Sequence, residues 1–223
     1  MPITHLGMEE HDVSLVKEAK RYRLLDGSVV QMPHYEEPSA MRAEAVNFHL
    51  GRPLIPVGDP MTAEVGAGAY TLRVDHPFLC EGEPQVQPMR VARSWRVAQG
   101  DIDPRGLPVR DAGGRTVGVV GDLWVDRGTK TLRYLEVRLE ALAEDVRPVL
   151  VPIYHTGITR HRVKVLRMYA GHLAIAPRLR SPDEITAREE DQVNAYFAAA
   201  LRFGHPGGAA TVPTYAPAPR IRG

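Results

Sequence analysis

Between residues 104 and 180, short runs of β-branched and other apolar residues alternate with polar turn residues at regular spacing. The six runs are "GLPVRD", "RTVGVVGDLWVD", "TLRYLEVRL", "RPVLVPI", "GITRHRVKVLRM" and "HLAIAP". Runs of this length and composition favour β-strands. Six evenly spaced strands predict a mainly β fold, a small closed barrel or a sandwich, because closure removes exposed sheet edges.

Two hairpins are predicted within this region. "AGGR" (112–115) separates the first two runs, and its glycines supply the positive φ angles that a tight turn needs. "DLWVDRGTKTLRYLEVRL" (122–139) reads as two strands joined by a charged turn, with Asp126 and Arg133 at its mouth. Gly118 and Gly121 lie inside a strand pattern, which predicts β-bulges or points of close packing.

One amphipathic helix is predicted over 181–203. Ser181 is expected as the N-cap, with Pro182 at the first helical position and Glu184 completing a capping box. Gly204 is expected to end the helix. The residues predicted to form its apolar stripe are Val193, Tyr196, Phe197, Ala200 and Leu201.

The chain divides by composition into three parts. Residues 1–97 are rich in proline and glycine, which interrupt helices and central strands, so we expect an extended region that packs on partner subunits. Residues 98–205 hold the predicted barrel and its helix. Residues 206–223 have the composition of a flexible or surface-draped tail.

Charge and cysteine content narrow the possible functions. The 223 residues carry 28 basic and 27 acidic side chains, and this balance argues against a nucleic-acid-binding protein. The single cysteine, Cys80, excludes an internal disulfide. No run reaches the roughly 18–20 consecutive apolar residues that cross a bilayer, and the N-terminus lacks the apolar segment of a signal peptide. A soluble protein is expected.

Enzyme motifs are missing from the sequence. It contains no GxGxxG, GxxxxGK[ST], HExxH or GxSxG pattern. His155, His161 and His172 do not have the spacing of metal ligands. We therefore expect a protein that is not an enzyme and holds no metal.

Several carboxylates are candidates for a proton-handling surface, because clustered acids raise one another's pKa and can relay protons. The alternative is that these charges are solvated and keep the barrel soluble. The candidates are Glu81, Glu83, Asp101, Asp103, Asp122, Asp126 and Glu136.

A set of co-linear motifs then adds a resemblance. From about residue 20 to 205, the chain resembles the cytoplasmic part of the H subunit of purple-bacterial photosynthetic reaction centres, whose C-terminal half is a PRC-barrel. The motifs are "VGDPM", "VGAGAY", "QPMRVA", "GLPVRD", "GDLWVD", "RYLEVRL" and "SPDEITAREEDQVNAY". Each motif is weak alone, and their shared order over some 150 residues carries the match.

This resemblance implies a non-catalytic subunit that caps the cytoplasmic face of the complex, peripheral to the photosynthetic membrane. Its expected partners are the L and M subunits and light-harvesting subunits, with no nucleic acid. The bacteriochlorophyll, bacteriopheophytin and quinones are expected in the partner subunits, and none in this chain. The H subunit stabilises the assembly and helps conduct protons to the secondary quinone.

The resemblance also assigns roles to individual residues. Asp126 matches an aspartate on the proton route, and Arg133 matches an arginine that we expect to assist docking. Glu81 and Glu83 stand where the family has a histidine pair at the proton entrance, and Thr129 stands where it has a glutamate. Glu136 completes the expected proton-uptake set.

The family begins with one membrane-spanning helix, which is missing from this sequence. The chain is expected to be the extrinsic part alone, with the helix removed or supplied by a separate polypeptide. The alternative function is a stand-alone PRC-barrel adaptor, similar to the barrel of ribosome-maturation factors. "VGDPM", "VGAGAY" and "QPMRVA" lie outside the barrel and favour the reaction-centre interpretation.

Overall fold

The computed structural model describes residues 20–24, 27, 29–32, 42–45, 54–140 and 146–204. The chain divides into two units, residues 1–40 and 41–223. In the first unit, strand β1 (Lys20–Arg23) pairs antiparallel with β2 (Val29–Met32). The predicted tail, 206–223, lies outside the described residues.

The second unit contains two short hairpins and one larger sheet. Strand β3 (Ala43–Ala45) pairs with β4 (Leu54–Pro56), and β5 (Leu79–Cys80) pairs with β6 (Glu83–Pro84). The strands of the larger sheet are β7 (Val86–Pro88), β8 (Pro108–Arg110), β9 (Thr116–Asp126), β10 (Thr131–Leu139), β11 (Val149–Pro152), β12 (Thr156–Ile158) and β13 (Val163–Val165).

The seven strands of the larger sheet form an open path. The order is β11-β10-β9-β8-β13-β12, and β7 pairs with the end of β9. The mainly β prediction is confirmed, but the closed barrel is not, because the two outer strands, β11 and β12, are not paired with each other. They are joined by a single 3-10 turn, Ile153–His155, so the chain turns directly from one sheet edge to the other.

The glycines of β9 lie where the strand meets β10 most closely. Gly121 is the extra residue at a register shift, since Glu136 pairs with Asp122 and Val137 pairs with Val120. A Cβ atom on Gly118 would lie 2.0 Å from the carbonyl oxygen of Arg138. The prediction of a bulge and a close-packing point is therefore confirmed.

Replacing Gly118 with alanine should destabilise the protein by about 2–3 kcal/mol, because the added methyl would meet backbone that cannot move without shifting β10. Thermal unfolding measures the effect. Gly157→Ala is the matched control, since Gly157 lies in β12 with no atom within 4 Å of its would-be Cβ. Equal melting temperatures for the two variants would contradict the close approach.

Two predicted strands differ from the structure. "GITRHRVKVLRM" is not one strand but two, β12 and β13, joined by a turn in which the N–H of Thr159 donates to the carbonyl of Arg162 at 2.9 Å. "HLAIAP" lies largely in a short helix, α1 (Ala170–Ile175). The N–H of Ala170 donates to Oδ2 of Asp111 at 3.2 Å, a distant contact that supports this helix start and that local patterning does not reveal.

The predicted start of the main helix is wrong. Helix α2 spans Ala187–Phe203 with Thr186 as its N-cap, where Thr186 Oγ1 accepts from the N–H of Glu189 and Glu189 Oε2 accepts from the N–H of Thr186. The sequence offers two capping boxes, one beginning at Ser181 and one at Thr186. Tertiary contacts select the second, because Arg90 donates to the carbonyl of Pro182 and holds the preceding loop.

The buried face of α2 follows the predicted stripe except at one position. Val193, Tyr196, Phe197 and Ala200 are buried, whereas Leu201 is 52% exposed. The helix ends before Gly204 as predicted. The largest fully buried side chains of the core are Trp124, Tyr134, Phe197, Leu123, Leu135, Leu150 and Met168.

Part of the proline- and glycine-rich region packs on α2 of the same chain. The carbonyl of His76 accepts from the N–H of Ala187 at 3.1 Å, and the carbonyl of Arg73 accepts from Nε of Arg188 at 3.1 Å. This contact fixes the segment that leads into β5 and β6. Within the described ranges, no helix is long and apolar enough to span a bilayer.

Candidate functional site

Asp126 ends β9 and organises the turn that follows it. Its side chain is buried, with the residue 1% exposed. Oδ1 accepts hydrogen bonds from the N–H of Gly128 at 2.9 Å, the N–H of Thr129 at 3.0 Å and Nε2 of Gln85 at 2.9 Å. One carboxylate oxygen thus closes the β9–β10 turn and joins it to the segment after β6.

Arg133 and Glu190 connect the hairpin mouth to α2. Nη1 of Arg133 lies 3.6 Å from Oδ2 of Asp126, and Nη2 donates to Oε1 of Glu190. The hydroxyl of Tyr134 donates toward the same Glu190 oxygen at 3.1 Å, with Oδ1 of Asn194 as a second acceptor at 3.3 Å. The result is a continuous polar chain from a buried aspartate to the helix surface.

Asp126, Arg133 and Glu190 line an open cavity of about 460 Å³, named here the hairpin cleft. Its ionisable members are Asp126, Glu190 and Asp191 against Arg73 and Arg133, which is one negative charge in excess. Arg73 is paired with Asp191 at 2.7 Å. The cleft is therefore polar, slightly acidic and large enough to hold several water molecules.

Opposing effects set the pKa of Asp126. Burial acts to raise it, but the hydrogen bonds from Thr129 and Gln85 and the charge of Arg133 outweigh burial and hold the pKa below its usual value. Asp126 is therefore ionised at neutral pH. Its negative charge is held in place, not exchanged with solvent protons.

The neighbouring side chains also have displaced pKa values. Burial acts to lower the pKa of Arg133, but the hydrogen bond and charge of Glu190 outweigh it and raise that pKa. Burial, supported by the negative charge of Glu190, raises the pKa of Tyr134 well above its usual value. Tyr134 is therefore a neutral hydrogen-bond donor and Arg133 a permanent cation.

The lowered pKa of Asp126 predicts a specific loss of stability in acid. A carboxyl whose folded pKa lies below its unfolded value stabilises the fold above the unfolded pKa, and this contribution disappears as the pH falls through the folded pKa. Asp126→Asn should remove this component, so its free energy of unfolding should fall less than that of the natural chain below about pH 4. Urea unfolding at pH 7 and pH 3 measures this, and parallel losses in both proteins would contradict it.

Glu136 belongs to a second charged cluster, away from Asp126. It pairs across the sheet with Asp122, and each of the two residues is only 6% exposed. Nη1 of Arg90 lies 2.7 Å from Oε2 of Glu136 and 3.1 Å from Oδ2 of Asp122. Nε1 of Trp124 donates to the same Glu136 oxygen at 3.0 Å. Glu136 lies five residues along β10 from Thr131, the partner of Asp126, which is about 17 Å.

Glu81 and Glu83 lie on the solvent-exposed β5–β6 hairpin. Glu81 and Gly82 occupy its two turn positions with φ angles of 55° and 82°. The segment after this hairpin reaches Asp126 through Gln85, whose carbonyl also accepts from the N–H of Arg127 at 2.8 Å. Glu81 and Glu83 are therefore connected to the cleft through the backbone and through the hydrogen bond from Gln85 to Asp126, but they do not line it.

The remaining candidate acids stand apart from the cleft. Asp103 forms a side-chain pair with Arg105, and the hydrogen bond from Arg105 holds the pKa of Asp103 below its usual value despite partial burial. Asp101 is exposed. Of the residues proposed from sequence, the structure brings Asp126 together with Arg133, and Asp122 together with Glu136 around Arg90.

Sequence reasoning missed Glu190, Gln85 and Arg90 as members of these sites. Glu190 lies in the "EED" portion of the helix motif, and Arg90 lies in "QPMRVA", so both were present in motifs quoted for other reasons. Each contacts a partner more than 30 residues away in sequence. In the part of the chain that the structure describes, no three His, Cys, Asp or Glu side chains are placed to hold a metal ion.

Comparison with protein families agrees with this architecture. Residues 101–170 match the family model described as the PRC-barrel domain, which defines the class of the larger sheet. Residues 4–91 match the model described as the photosynthetic reaction centre H-chain N-terminal region. With both matches in this order, the chain is an H-subunit-like protein. The H chain is a structural, non-catalytic, membrane-associated subunit.

Proposed function

We propose that this chain caps the cytoplasmic face of a photosynthetic reaction centre, where it binds the L and M subunits and stabilises the assembly. The match of residues 4–91 to the H-chain region carries this proposal, since that region lies outside the barrel class shared with other proteins. The pigments and quinones belong to the partner subunits. The chain itself does no bond-making chemistry.

The same proposal includes assistance to proton uptake by the secondary quinone. Full reduction of a quinone consumes two protons, and a quinone enclosed in protein receives them through ionisable groups and water. The hairpin cleft supplies a fixed negative charge at Asp126, and it is large enough for water beside the Glu190 and Asp191 carboxylates. Because Asp126 stays ionised, its role is to attract and stabilise a proton in transit rather than to store one.

The exposed glutamates are proposed as the collecting end of this route. Glu81 and Glu83 stand in solvent on the hairpin that leads to Gln85, the side chain that donates to Asp126. Glu136 is proposed as a second contributor to proton uptake. It would act through the electrostatic field of the charged cluster that it forms with Arg90 and Asp122. Because protons would enter this route from the cytoplasm, the proposal places the exposed β5–β6 hairpin on the cytoplasmic side.

Arg133 is proposed to assist docking by fixing the shape of the hairpin cleft. Its guanidinium binds Glu190 and approaches Asp126, so Arg133→Ala should loosen the contact between hairpin and helix and weaken association with the pigmented complex. Retention of the tagged chain on purified reaction-centre cores during salt washing measures this, with circular dichroism to verify folding. Arg162→Ala, at an exposed turn position, is the control, and equal retention of the two variants would contradict the docking role.

A PRC-barrel match alone fits an adaptor of the ribosome-maturation class equally well. The two functions predict different molecules bound to the chain when it is purified from its native cells. Bacteriochlorophyll in the bound fraction supports the reaction-centre function, and ribosomal protein or RNA in its place supports the adaptor.

A further inference from the structure

Positive charge is concentrated in one stretch of the sequence. Residues 146–182 contain seven Lys or Arg and no Asp or Glu, although the whole chain is almost balanced, with 28 basic and 27 acidic residues. This stretch forms strands β11, β12 and β13 and helix α1. It does not line the hairpin cleft, so the proposed proton route leaves it without a role.

The sheet places part of this charge on one exposed face. In β13, Val163 and Val165 are fully buried and Lys164 between them is exposed, so Lys164 points away from the core. Arg162 lies directly before the strand and is also exposed, and Arg110 of β8 is the parallel partner of Lys164. Arg110, Arg162 and Lys164 are named here the basic face.

The basic face is not neutralised by other described residues, among which none of its three cations has an ion-pair partner. The nearest acid in sequence, Asp111, is 3% exposed, accepts from the N–H of Ala170 and has Arg115 as its own counter-charge at 3.9 Å. The next acid across the sheet, Glu140, lies on the far side of β9, where its N–H donates to the carbonyl of Val117 at 3.0 Å. The face therefore carries a net positive charge.

An exposed aromatic side chain lies close to the basic face. Tyr154, in the 3-10 turn before β12, is 86% exposed, the highest value for any large apolar side chain in the described ranges. The carbonyl of the next residue, His155, accepts from the N–H of Leu166 at 2.8 Å, so this turn lies against the end of β13. Exposed tyrosine beside unpaired Lys and Arg is typical of protein surfaces that lie at a membrane interface.

We propose that the basic face binds the anionic lipid headgroups of the bilayer around the complex, with Tyr154 in the interfacial layer. Each Lys or Arg near an anionic bilayer adds to binding, and cations on one sheet face reach a flat surface together. The chain belongs to a family of membrane-associated subunits, which gives it access to such a surface. The proposal rests on the membrane placement in the proposed function and adds a lipid contact to the contacts with the L and M subunits.

Flotation of the isolated full chain with lipid vesicles tests this contact. The natural chain should float with phosphatidylcholine vesicles that contain phosphatidylglycerol, and not with phosphatidylcholine alone. The triple variant Arg110→Gln, Arg162→Gln, Lys164→Gln should bind about 100-fold more weakly, since each cation near an anionic surface contributes about fivefold. Raising sodium chloride from about 0.1 M to about 1 M should also release the chain, because the Debye length falls from about 10 Å to about 3 Å.

The matched control is the triple variant Arg93→Gln, Arg96→Gln, Lys130→Gln, which removes the same charge from exposed positions. Lys130 lies in the turn after β9 and lines one cavity with Arg96, whereas Arg110 pairs with Thr116 at the start of β9. The control should lose far less affinity. Circular dichroism verifies that both variants fold.

Tyr154→Ala tests the aromatic contact without changing the charge of the chain. It should weaken vesicle binding several-fold, because it removes the most exposed interfacial side chain. Leu72→Ala is its control, since Leu72 is 69% exposed and lies outside residues 146–182. Equal effects of these two substitutions would contradict the placement of Tyr154 in the interfacial layer.

The proposal is overturned if the natural chain does not float with phosphatidylglycerol vesicles, or if the two triple variants lose affinity equally. Retention on detergent-solubilised reaction-centre cores that depends on the basic face would assign this face to an acidic protein surface, and binding of single-stranded RNA in place of vesicles would assign it to nucleic acid. Either result also overturns the proposal. The vesicles contain no reaction centre, so failure here leaves the capping function standing, whereas flotation without pigmented partners would count against capping alone.

Discussion

Replacement of Asp126 with asparagine should slow the second, proton-coupled electron transfer to the secondary quinone by about tenfold, the lower end of the range over which a fixed local charge raises the local concentration of a counter-ion. The substitution removes the one fully buried negative charge of the hairpin cleft. The asparagine side-chain oxygen still accepts from the N–H groups of Gly128 and Thr129. The turn should therefore persist, and the chain should remain bound to its partners.

Flash-induced absorbance changes in reconstituted reaction centres measure this rate across pH 6 to 9. Asp111→Asn is the matched control, because Asp111 is also buried and also accepts backbone hydrogen bonds, from Arg115 and Ala170, but does not line the cleft. The control should leave the rate unchanged. A natural rate for Asp126→Asn, or an equal slowing by both variants, would reject the proton role and leave Asp126 as a turn-capping residue.

Replacement of Arg90 with methionine should cost about 3 kcal/mol of folding stability. The variant leaves the carboxylates of Asp122 and Glu136 buried without their counter-charge, which is the costly way to break an ion pair. Because the Arg90 side chain is itself 38% exposed, water relieves part of this penalty and places the effect at the low end of the range for buried pairs. Arg90 also fixes the loop before α2 through Asp183 and the carbonyl of Pro182.

Thermal unfolding should show a drop in the melting temperature of about 6–12 °C for Arg90→Met. Arg93→Met is the control, since Arg93 is exposed and lies three residues away on the same turn. It should change the melting temperature little. A triple variant, Arg90→Met with Asp122→Asn and Glu136→Gln, should recover much of the loss. Equal melting temperatures for Arg90→Met and Arg93→Met would contradict the proposed role of the ion-pair cluster.

The central hairpin was predictable because its signals are local. The strands carry β-rich composition, and Asp126 and Arg133 lie seven residues apart on either side of one turn. In β10, residues 134–137 are buried on both faces, so polar residues such as Glu136 belong to the interior. Alternation alone does not distinguish a solvated polar face from one covered by another part of the chain.

The errors arise where distant contacts decide between local options. Two capping boxes compete for the start of α2, and contacts from Arg90 and Arg180 to the loop and to Glu189 favour the later one. The short helix α1 depends on a carboxylate 59 residues earlier, Asp111. Sheet closure could not be predicted from the sequence either, because the spacing of the strands indicates how many there are but not whether the outer two pair with each other.

The candidate site could be predicted only in part for the same reason. Its hairpin members were found, but Glu190 joins from 57 residues away and Gln85 from 41. The family motifs contained two of the missing residues, Glu190 and Arg90, without indicating what they contact. The ionised state of Asp126 follows from three hydrogen bonds that exist only in the folded chain.

The central claim is that this chain is a subunit bound to a pigmented reaction centre. Affinity purification of the tagged full chain from phototrophic cells, followed by near-infrared absorbance and mass spectrometry, tests it most directly. The account predicts bacteriochlorophyll absorbance together with L and M subunits in near-equal amounts to the tagged chain. Recovery of the chain in pigment-free fractions, while intact pigmented reaction centres lack it, would contradict the account.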